Sequence, residues 1–385
     1  MMKATKRIKW LDVTIITIVH HIHDIYTFFL PALQTVIQQT YGLSYQMFGA
    51  MLVFQRVPTL LNPFLGILAE RIRMRFLMIL APLVTSISMC LILDAPNFLT
   101  LCILAFVSGL SSSMFHVPTP VMMKHVSGEY SGVGMSFYMF GGNSARMLAP
   151  VLVIASIDLW ALGGLLKLIP AGALASLILY IRYRKTDIRK DFHHTKSEGS
   201  YWKVIQSFKN LLLVILFFTL LNGVLKSCIN SYLTGFLEEQ GYNQKIAKLG
   251  LSVVYLSGAI GALASGTLSD YVGKRTTVAL ASLVAPFCMI GFLNTEGYMQ
   301  FVMLFLTGFF ILSPVPVFLS IVNGLKSKHL PFLNGLYMTI NFAGSATSTY
   351  VLGWWIDMWQ YDLAYYIALF AAFGAVPLAF LLPKK

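Results

Sequence analysis

From about residue 10 almost to its end, the chain is a succession of apolar runs separated by short polar loops. Crossing about 30 Å of hydrocarbon takes about 20 apolar residues in helical form. No backbone N–H or C=O can be left without a partner there, so helices whose hydrogen bonds close internally are the structure such runs permit. The pattern predicts an all-α membrane protein. Composition agrees, with 57% hydrophobic residues, only 11% charged ones and a mean hydropathy of +0.72. Little chain is left for a soluble domain.

The runs divide into twelve expected transmembrane helices, at residues 11–38, 44–69, 76–94, 98–124, 131–157, 160–183, 205–237, 246–270, 276–293, 298–325, 331–356 and 361–382. The first is too long for a cleavable signal peptide and lacks a small-residue cleavage site. Of the 28 Lys and Arg, 22 fall at one set of span ends, whereas the opposite loops carry Asp94, Asp158, Glu238, Glu239, Glu296, Asp357 and Asp362. By the positive-inside rule both termini are cytoplasmic, with Lys245 and Lys248 running against the trend. The net charge of +13 therefore reads as membrane orientation and not as affinity for nucleic acid. Cys90, Cys102, Cys228 and Cys288 all fall inside spans without metal-type spacing, and are read as reduced packing residues.

An internal repeat divides the chain. "GILAERIRMR" at 66–75 and "GTLSDYVGKR" at 266–275 share a Gly-x-Leu-small-acid start and a basic end. "IDLW" at 157–160 recurs as "IDMW" at 356–359, Gly109 as Gly308, and Tyr138-Met139 as Tyr337-Met338, each 199 residues on. The expected organisation is two pseudo-symmetric six-helix halves, 1–183 and 205–385, joined by a cytoplasmic linker at 184–204 whose His193-His194 pair is read as solvated. Parallel repeats of this kind put a cavity between the halves near the midplane, which is transporter architecture.

Once loop charges are removed, few ionisable groups remain inside the spans. They are His20, His21, His23 and Asp24 in "VHHIHDIYTFFLP", then Arg56, His116, Arg146 and Lys226. Such residues cost about 2.5–3.5 kcal/mol each on insertion scales, so they face a cavity or a partner and mark function. At about 100° per residue, His20, His23, Asp24, Thr27, Gln34 and Gln38 form one polar stripe, with His21 at its edge as a tucked histidine bonded to a neighbouring helix. For His20, His23 and Asp24 three readings are open: a metal site, a structural network and a proton relay. The crowding of one turn and the lack of a second deep carboxylate disfavour metal. Burial and a neighbouring imidazolium act oppositely on a carboxyl group, which favours the relay. Arg56, Arg146 and Lys226 set three cations against one carboxylate, so the expected cargo is an anion. "GVGMSFYMFGGNSARMLAP" at 132–150 adds Asn143 and small residues for close helix packing and bending. "FHVPTP" at 115–120 and "SPVP" at 313–316 should break two spans and free carbonyls there.

The Gly-x-Leu-x-Asp-x-x-Gly-Lys-Arg element at 266–275 resembles the loop signature of the major facilitator superfamily. Its first copy departs, with Glu70 for Asp and Arg73 for the second Gly. The carried-over gating residues are Glu70, Arg71, Arg75, Asp270, Lys274 and Arg275, acid–Arg pairs across the inner face being one role and positive-inside anchoring the other. Within that superfamily the chain resembles the fosmidomycin resistance protein family. "HHIHD" at 20–24 matches its His-x-x-Asn-Asp element, with His23 for the Asn, and "SGLSSSMFHVPTPVMMKHVSG" with "GVGMSFYMFGGN" is similar to its span 4 and span 5 signature. Two departures stand out. The family's span 4 carboxylate is missing from Phe115-His116-Val117-Pro118, and Arg146 occupies a position that is usually small.

The combined expectation is a proton-coupled secondary transporter, not an enzyme, exporting a small anionic compound or drug by alternating access. Proton coupling is expected at Asp24, His20 and His23, and substrate binding at Arg56, His116, Asn143, Arg146 and Lys226. No cofactor, metal or nucleic acid is expected, and the chain is read as a monomer in the lipid bilayer of a bacterial inner membrane. An importer or facilitator of an organic anion or metal chelate is the alternative. From another class, a membrane-embedded metal-dependent hydrolase would draw on the same histidines.

Overall fold

A computed structural model describes residues 8–62, 75–128, 131–186, 201–323, 325, 327 and 330–383. These residues are 90% helical, with no strand among them. In chain order the α-helices are α1 (Trp10–Thr27), α2 (Phe29–Ala32), α3 (Gln34–Tyr41), α4 (Tyr45–Arg56), α5 (Arg75–Cys90), α6 (Phe98–His116), α7 (Pro118–Ser127), α8 (Ser131–Trp160) and α9 (Ile169–Tyr183). They continue with α10 (Tyr201–Asn230), α11 (Leu233–Glu239), α12 (Gln244–Val272), α13 (Lys274–Leu293), α14 (Gly297–Leu312), α15 (Pro314–Asn323), α16 (Leu330–Phe373) and α17 (Ala375–Ala379). Among the described residues, eight helical segments are long and apolar enough to cross a membrane, from Phe98–Ser127 to Gly335–Ala379, and α5 is a shorter apolar helix.

The chain forms two compact units, Met1–Leu33 with Phe54–Thr195, and Gln34–Val53 with Lys196–Lys385. In the first, α1 packs along α8, and α5 lies against α6 and α9. In the second, α10 packs along α16, and α14 lies against α12 and α13. Each unit has its own apolar core, one around Val13, Met78 and Phe115, the other around Ile215, Val317 and Tyr337.

The polar stripe does not run on through one continuous helix. The chain breaks at Phe28 and again at Leu33. Pro31 has no N–H for the carbonyl four residues earlier, that of Thr27. That carbonyl accepts from the Gln55 side-chain amide instead, at 3.0 Å. Beyond the breaks, Gln34 belongs to the second unit, where its Nε2 donates to the Tyr361 hydroxyl (3.1 Å) and its Oε1 accepts from Thr234 (2.9 Å). The N–H groups of Tyr45 and Gln46 donate to the Asp357 carboxylate at 2.8 and 2.7 Å. A carboxylate at the start of α4 answers donors that have no partner inside the helix.

The repeat is legible in local geometry. Gly42 and Gly241, 199 residues apart, both have positive φ, 63° and 89°. Two residues after each, Ser44 and Asn243 accept from the N–H groups of Met47 and Ile246 and so cap the helices that follow. Ala161 and Gln360, the residues following the two "ID-x-W" segments, are the non-glycine residues with positive φ, 57° and 59°, among the described residues. Gln360 lies inside α16, so that run is two helices meeting at a kink. Gly109 lets α6 close on the Gln55 carbonyl, and Gly308 lets α14 close on the Val254 carbonyl.

Candidate functional site

His20 and Asp24 stand one turn apart on α1 and so share a face. His116, the last residue of α6, reaches the same place because Pro118 and Pro120 end that helix as an uninterrupted run. His20 Nε2 lies 3.2 Å from Asp24 Oδ2, and His116 Nε2 lies 3.1 Å from Asp24 Oδ1. His20 and Asp24 are buried, while His116 is about a third exposed. Close approach on the other side depends on Gly142, where a Cβ would lie 2.9 Å from His20 Cε1 and 3.1 Å from Asp24 Oδ2.

Tyr138 on α8 holds both imidazoles. Its carbonyl lies 2.8 Å from His20 Nδ1, and its hydroxyl lies 2.8 Å from His116 Nδ1. Its ring also stacks on His20, with centroids 3.9 Å apart. A carbonyl oxygen only accepts, so Nδ1 of His20 carries hydrogen. Nε2 of a neutral His20 is then a lone pair facing a carboxylate. A proton between Nε2 and Oδ2 turns that contact from repulsive to attractive. His116 has more freedom, because the Tyr138 hydroxyl can donate to Nδ1 and leave Nε2–H for Asp24. The cluster is therefore a carboxylate between two imidazoles whose contacts depend on the protons it holds. The same three residues offer one donor atom each, all within 4.8 Å of one another.

The remaining expected site residues are dispersed. His23 is fully enclosed, stacks on Phe115 at 4.3 Å between centroids, and has no hydrogen-bond partner at either ring nitrogen. His21 bonds Ser144 (2.8 Å) and lies 3.3 Å from the Gly141 carbonyl, a tie to the neighbouring helix α8. Arg146 is exposed, its guanidinium 4.8 Å from the centre of the Phe28 ring. Asn143 is half-buried on the same helix, and Arg56 is half-buried at the end of α4. Lys226 lines a cavity in the second unit.

Among the expected gating residues, Glu70 and Arg71 lie outside the described residues, as does the side chain of Asp270. Arg75 donates to the Thr186 carbonyl (2.5 Å), Lys274 to that of Ser320 (3.1 Å) and Arg275 to that of Leu382 (2.7 Å from Nε). Arg75 and Arg275 thus act alike in the two units, each placing a guanidinium on a carbonyl a few residues past a helix end, after Tyr183 in the first and after Ala379 in the second. Hydroxyls bond carbonyls beside the proline breaks, although the carbonyls that Pro118, Pro120, Pro314 and Pro316 leave without an N–H four residues on are those of Met114, His116, Phe310 and Leu312. Thr119 donates to Phe115, Ser313 to Phe309, and Tyr337 to Val315.

Sequence reasoning missed two features. Tyr138 was visible only as half of a repeat pair. Asp12, which nothing in the sequence pattern singles out, is a buried carboxylate that accepts from Arg182 at 2.7 and 3.0 Å and from Tyr183 at 2.9 Å.

A family model described as Major Facilitator Superfamily matches residues 23–296 and 215–385. The chain belongs to the major facilitator superfamily. It is a multi-pass membrane protein whose family moves small molecules, and its relatives are transporters, not enzymes. It is 24% identical over 363 residues to the fosmidomycin resistance protein of Escherichia coli (strain K12), covering 92% of this chain and 88% of that one. It is 23% identical over 354 residues to the uncharacterized MFS-type transporter YfnC of Bacillus subtilis (strain 168), covering 89% and 86%. Among solved structures, a bacterial homolog of the human lysosomal transporter Spinster, inward-facing and unoccupied, superposes with a TM-score of 0.80 at 12% identity, covering 98% and 97%. The nucleoside transporter NupG superposes with a TM-score of 0.74 at 14% identity, covering 96% and 98%. These two likenesses concern the fold.

Proposed function

We propose that this major facilitator is a proton-coupled secondary transporter that exports a small anionic organic compound by alternating access. The observation that carries the reading is the cluster of His20, Asp24 and His116, a carboxylate enclosed by imidazoles whose contacts require a proton. An ionisable site of that kind inside a membrane helix is a coupling device by default. The resistance protein of Escherichia coli, similar along most of the chain, supports outward transport. In this reading twelve spans cross a bacterial inner membrane with both termini in the cytoplasm, and the monomer is the working unit. Arg56, His116, Asn143, Arg146 and Lys226 face the substrate. The elements holding Glu70, Arg71, Arg75, Asp270, Lys274 and Arg275 close the inner side.

Asp24→Asn tests the reading in proteoliposomes, with an anionic substrate drawn from a thermal-shift screen across pH. Uphill transport driven by a pH gradient should disappear while equilibrium exchange persists. Unchanged uphill transport removes Asp24 from the mechanism. A second reading rests on the same three donor atoms, whose mutual spacing also suits a divalent ion. Stoichiometric zinc or iron in the purified protein would favour a metal-dependent hydrolase, and its absence after dialysis against zinc removes that alternative.

A further inference from the structure

The second unit holds a cavity at the place where the first unit holds its ionisable cluster. Adding 199 to His20, His23, Asp24 and His116 gives Thr219, Asn222, Gly223 and Val315, and all four line that cavity. The register is geometric as well as numerical. The hydroxyl of Tyr138 bonds residue 116, and the hydroxyl of its counterpart Tyr337 bonds the carbonyl of residue 315.

The exchange of side chains explains why one unit is filled and the other hollow. In the first, the His20 imidazole and the Asp24 carboxylate pack against Gly142 of α8. In the second, the glycine has changed sides: Gly223 stands on α10, and Asn341 of α16 takes the place of Gly142. Thr219 and Val315 fill less volume than the histidines they replace.

What lines the cavity defines what it accepts. Lys226 is its one cation, and no carboxylate lines it among the described residues. Asn222 and Asn341 add amide donors and acceptors, and Asn222 is 7% exposed with no side-chain hydrogen bond among the described residues. The apolar part of the lining includes Phe218 and Phe318, in edge contact at 4.8 Å between centroids, with Ile311 and Pro314. A mostly apolar lining with a few polar groups is the usual make-up of a small-molecule site.

We propose that this cavity is where the protein binds its cargo, an organic acid that presents its negative group to Lys226 and its apolar body to Phe218 and Phe318. The first copy of the repeat then carries the proton-binding cluster, and the second the principal contact with the substrate's charge. The proposal rests on the transporter reading and deepens it by assigning the substrate's charged and apolar parts to named residues.

The test is calorimetric titration of 2-naphthoate, 2-naphthylmethanol and 2-naphthylmethylamine into the purified full chain. The acid should bind at least tenfold more tightly than the alcohol, and the amine should not bind. Lys226→Gln should erase the preference for the acid and leave the alcohol unchanged, and Lys209→Gln, a cation elsewhere on α10, should change nothing. Ser345→Trp, which fills the cavity, should weaken acid and alcohol alike at least tenfold. Asn222→Leu serves the same purpose if the tryptophan variant fails to give a monodisperse protein. Binding of 2-naphthoate that is unaffected by Lys226→Gln and by the filling variants overturns the proposal, as does the absence of binding by any of the three probes. Proton-driven flux is read separately. If naphthoate binding depends on Lys226 but no pH gradient drives transport, the coupling reading fails and the cavity stands. If gradient-driven transport is robust while both variants bind like the wild type, the cavity assignment alone fails.

Discussion

At the residue scale, the pairing of Asp24 with two histidines rests on what the other nitrogen of each ring is doing. His20 Nδ1 is committed to the Tyr138 carbonyl and His116 Nδ1 to the Tyr138 hydroxyl, so both Nε2 atoms are aimed at the carboxylate. Asp12 is held in a similar fashion, and here the effect on stability is direct. Tyr183→Phe removes a 2.9 Å donor to a buried carboxylate and should lower stability by about 1.5 kcal/mol, read as a lower unfolding temperature in detergent. Glu238, at the end of α11 and outside the apolar spans, gives a prediction with a pH signature. Burial raises its pKa, against the bond from Thr35 and the attraction of Lys248, which lower it. A carboxyl whose folded pKa is raised contributes fully below the ordinary glutamate value, and the contribution is lost as pH rises through the folded value. Glu238→Gln keeps an acceptor for Thr35 and never ionises. It should therefore melt higher than the wild type at pH 8, with the gap closing at pH 4; an equal gap at both pH values would count against the assignment. His20 and Asp24 could be read from the sequence as partners because they are four residues apart on one helix. The approach of His116 to Asp24 could not, since it depends on how α6 and α1 pack.

At the scale of elements, breaks in the helices matter as much as the helices. The sequence marks most of them: Pro31, Pro118 and Pro314 interrupt runs that hydropathy alone reads as continuous. It does not reveal where the freed groups go, such as the Thr27 carbonyl turning to Gln55, because those partners lie on other helices. Close helix packing is similarly half-visible. A Cβ on Gly109 would lie 1.7 Å from the Gln55 carbonyl oxygen, a backbone atom that cannot step aside. The nearest atom at Gly308 is the Ser257 hydroxyl at 2.3 Å, which can rotate, with the Val254 carbonyl oxygen at 3.0 Å. Gly109→Ala should thus cost about 3 kcal/mol and Gly308→Ala about 1 kcal/mol, since overpacking is relieved only where a neighbour can yield. Comparative thermal unfolding of the two variants checks the ordering, and equal losses would contradict it.

At the scale of the whole molecule, charge placement carries the prediction of topology. Lys6→Cys and Lys196→Cys should react with a membrane-impermeant maleimide only after permeabilisation, whereas Glu296→Cys should react in intact cells. Labelling of Lys196→Cys from outside would invert the orientation. The class of fold was legible from apolar runs because hydrocarbon permits so few backbone arrangements. The chain forms two compact units, and residues 34–53 belong to the second although the repeat in the sequence places them in the first half. The bonds from Gln34, Tyr45 and Gln46 to Tyr361 and Asp357 hold that segment there, and they join residues more than three hundred positions apart.

Ala161 and Gln360 occupy the same bend in the two repeats with nearly the same φ. A substitution table scores a small aliphatic residue against a long amide as unrelated, so a comparison by residue type passes over this pair. What the two copies share at that corner is a torsion angle. Kinship between the halves is thus written partly in dihedral space, and distant duplications of this kind are better sought by aligning backbone conformation than by aligning letters.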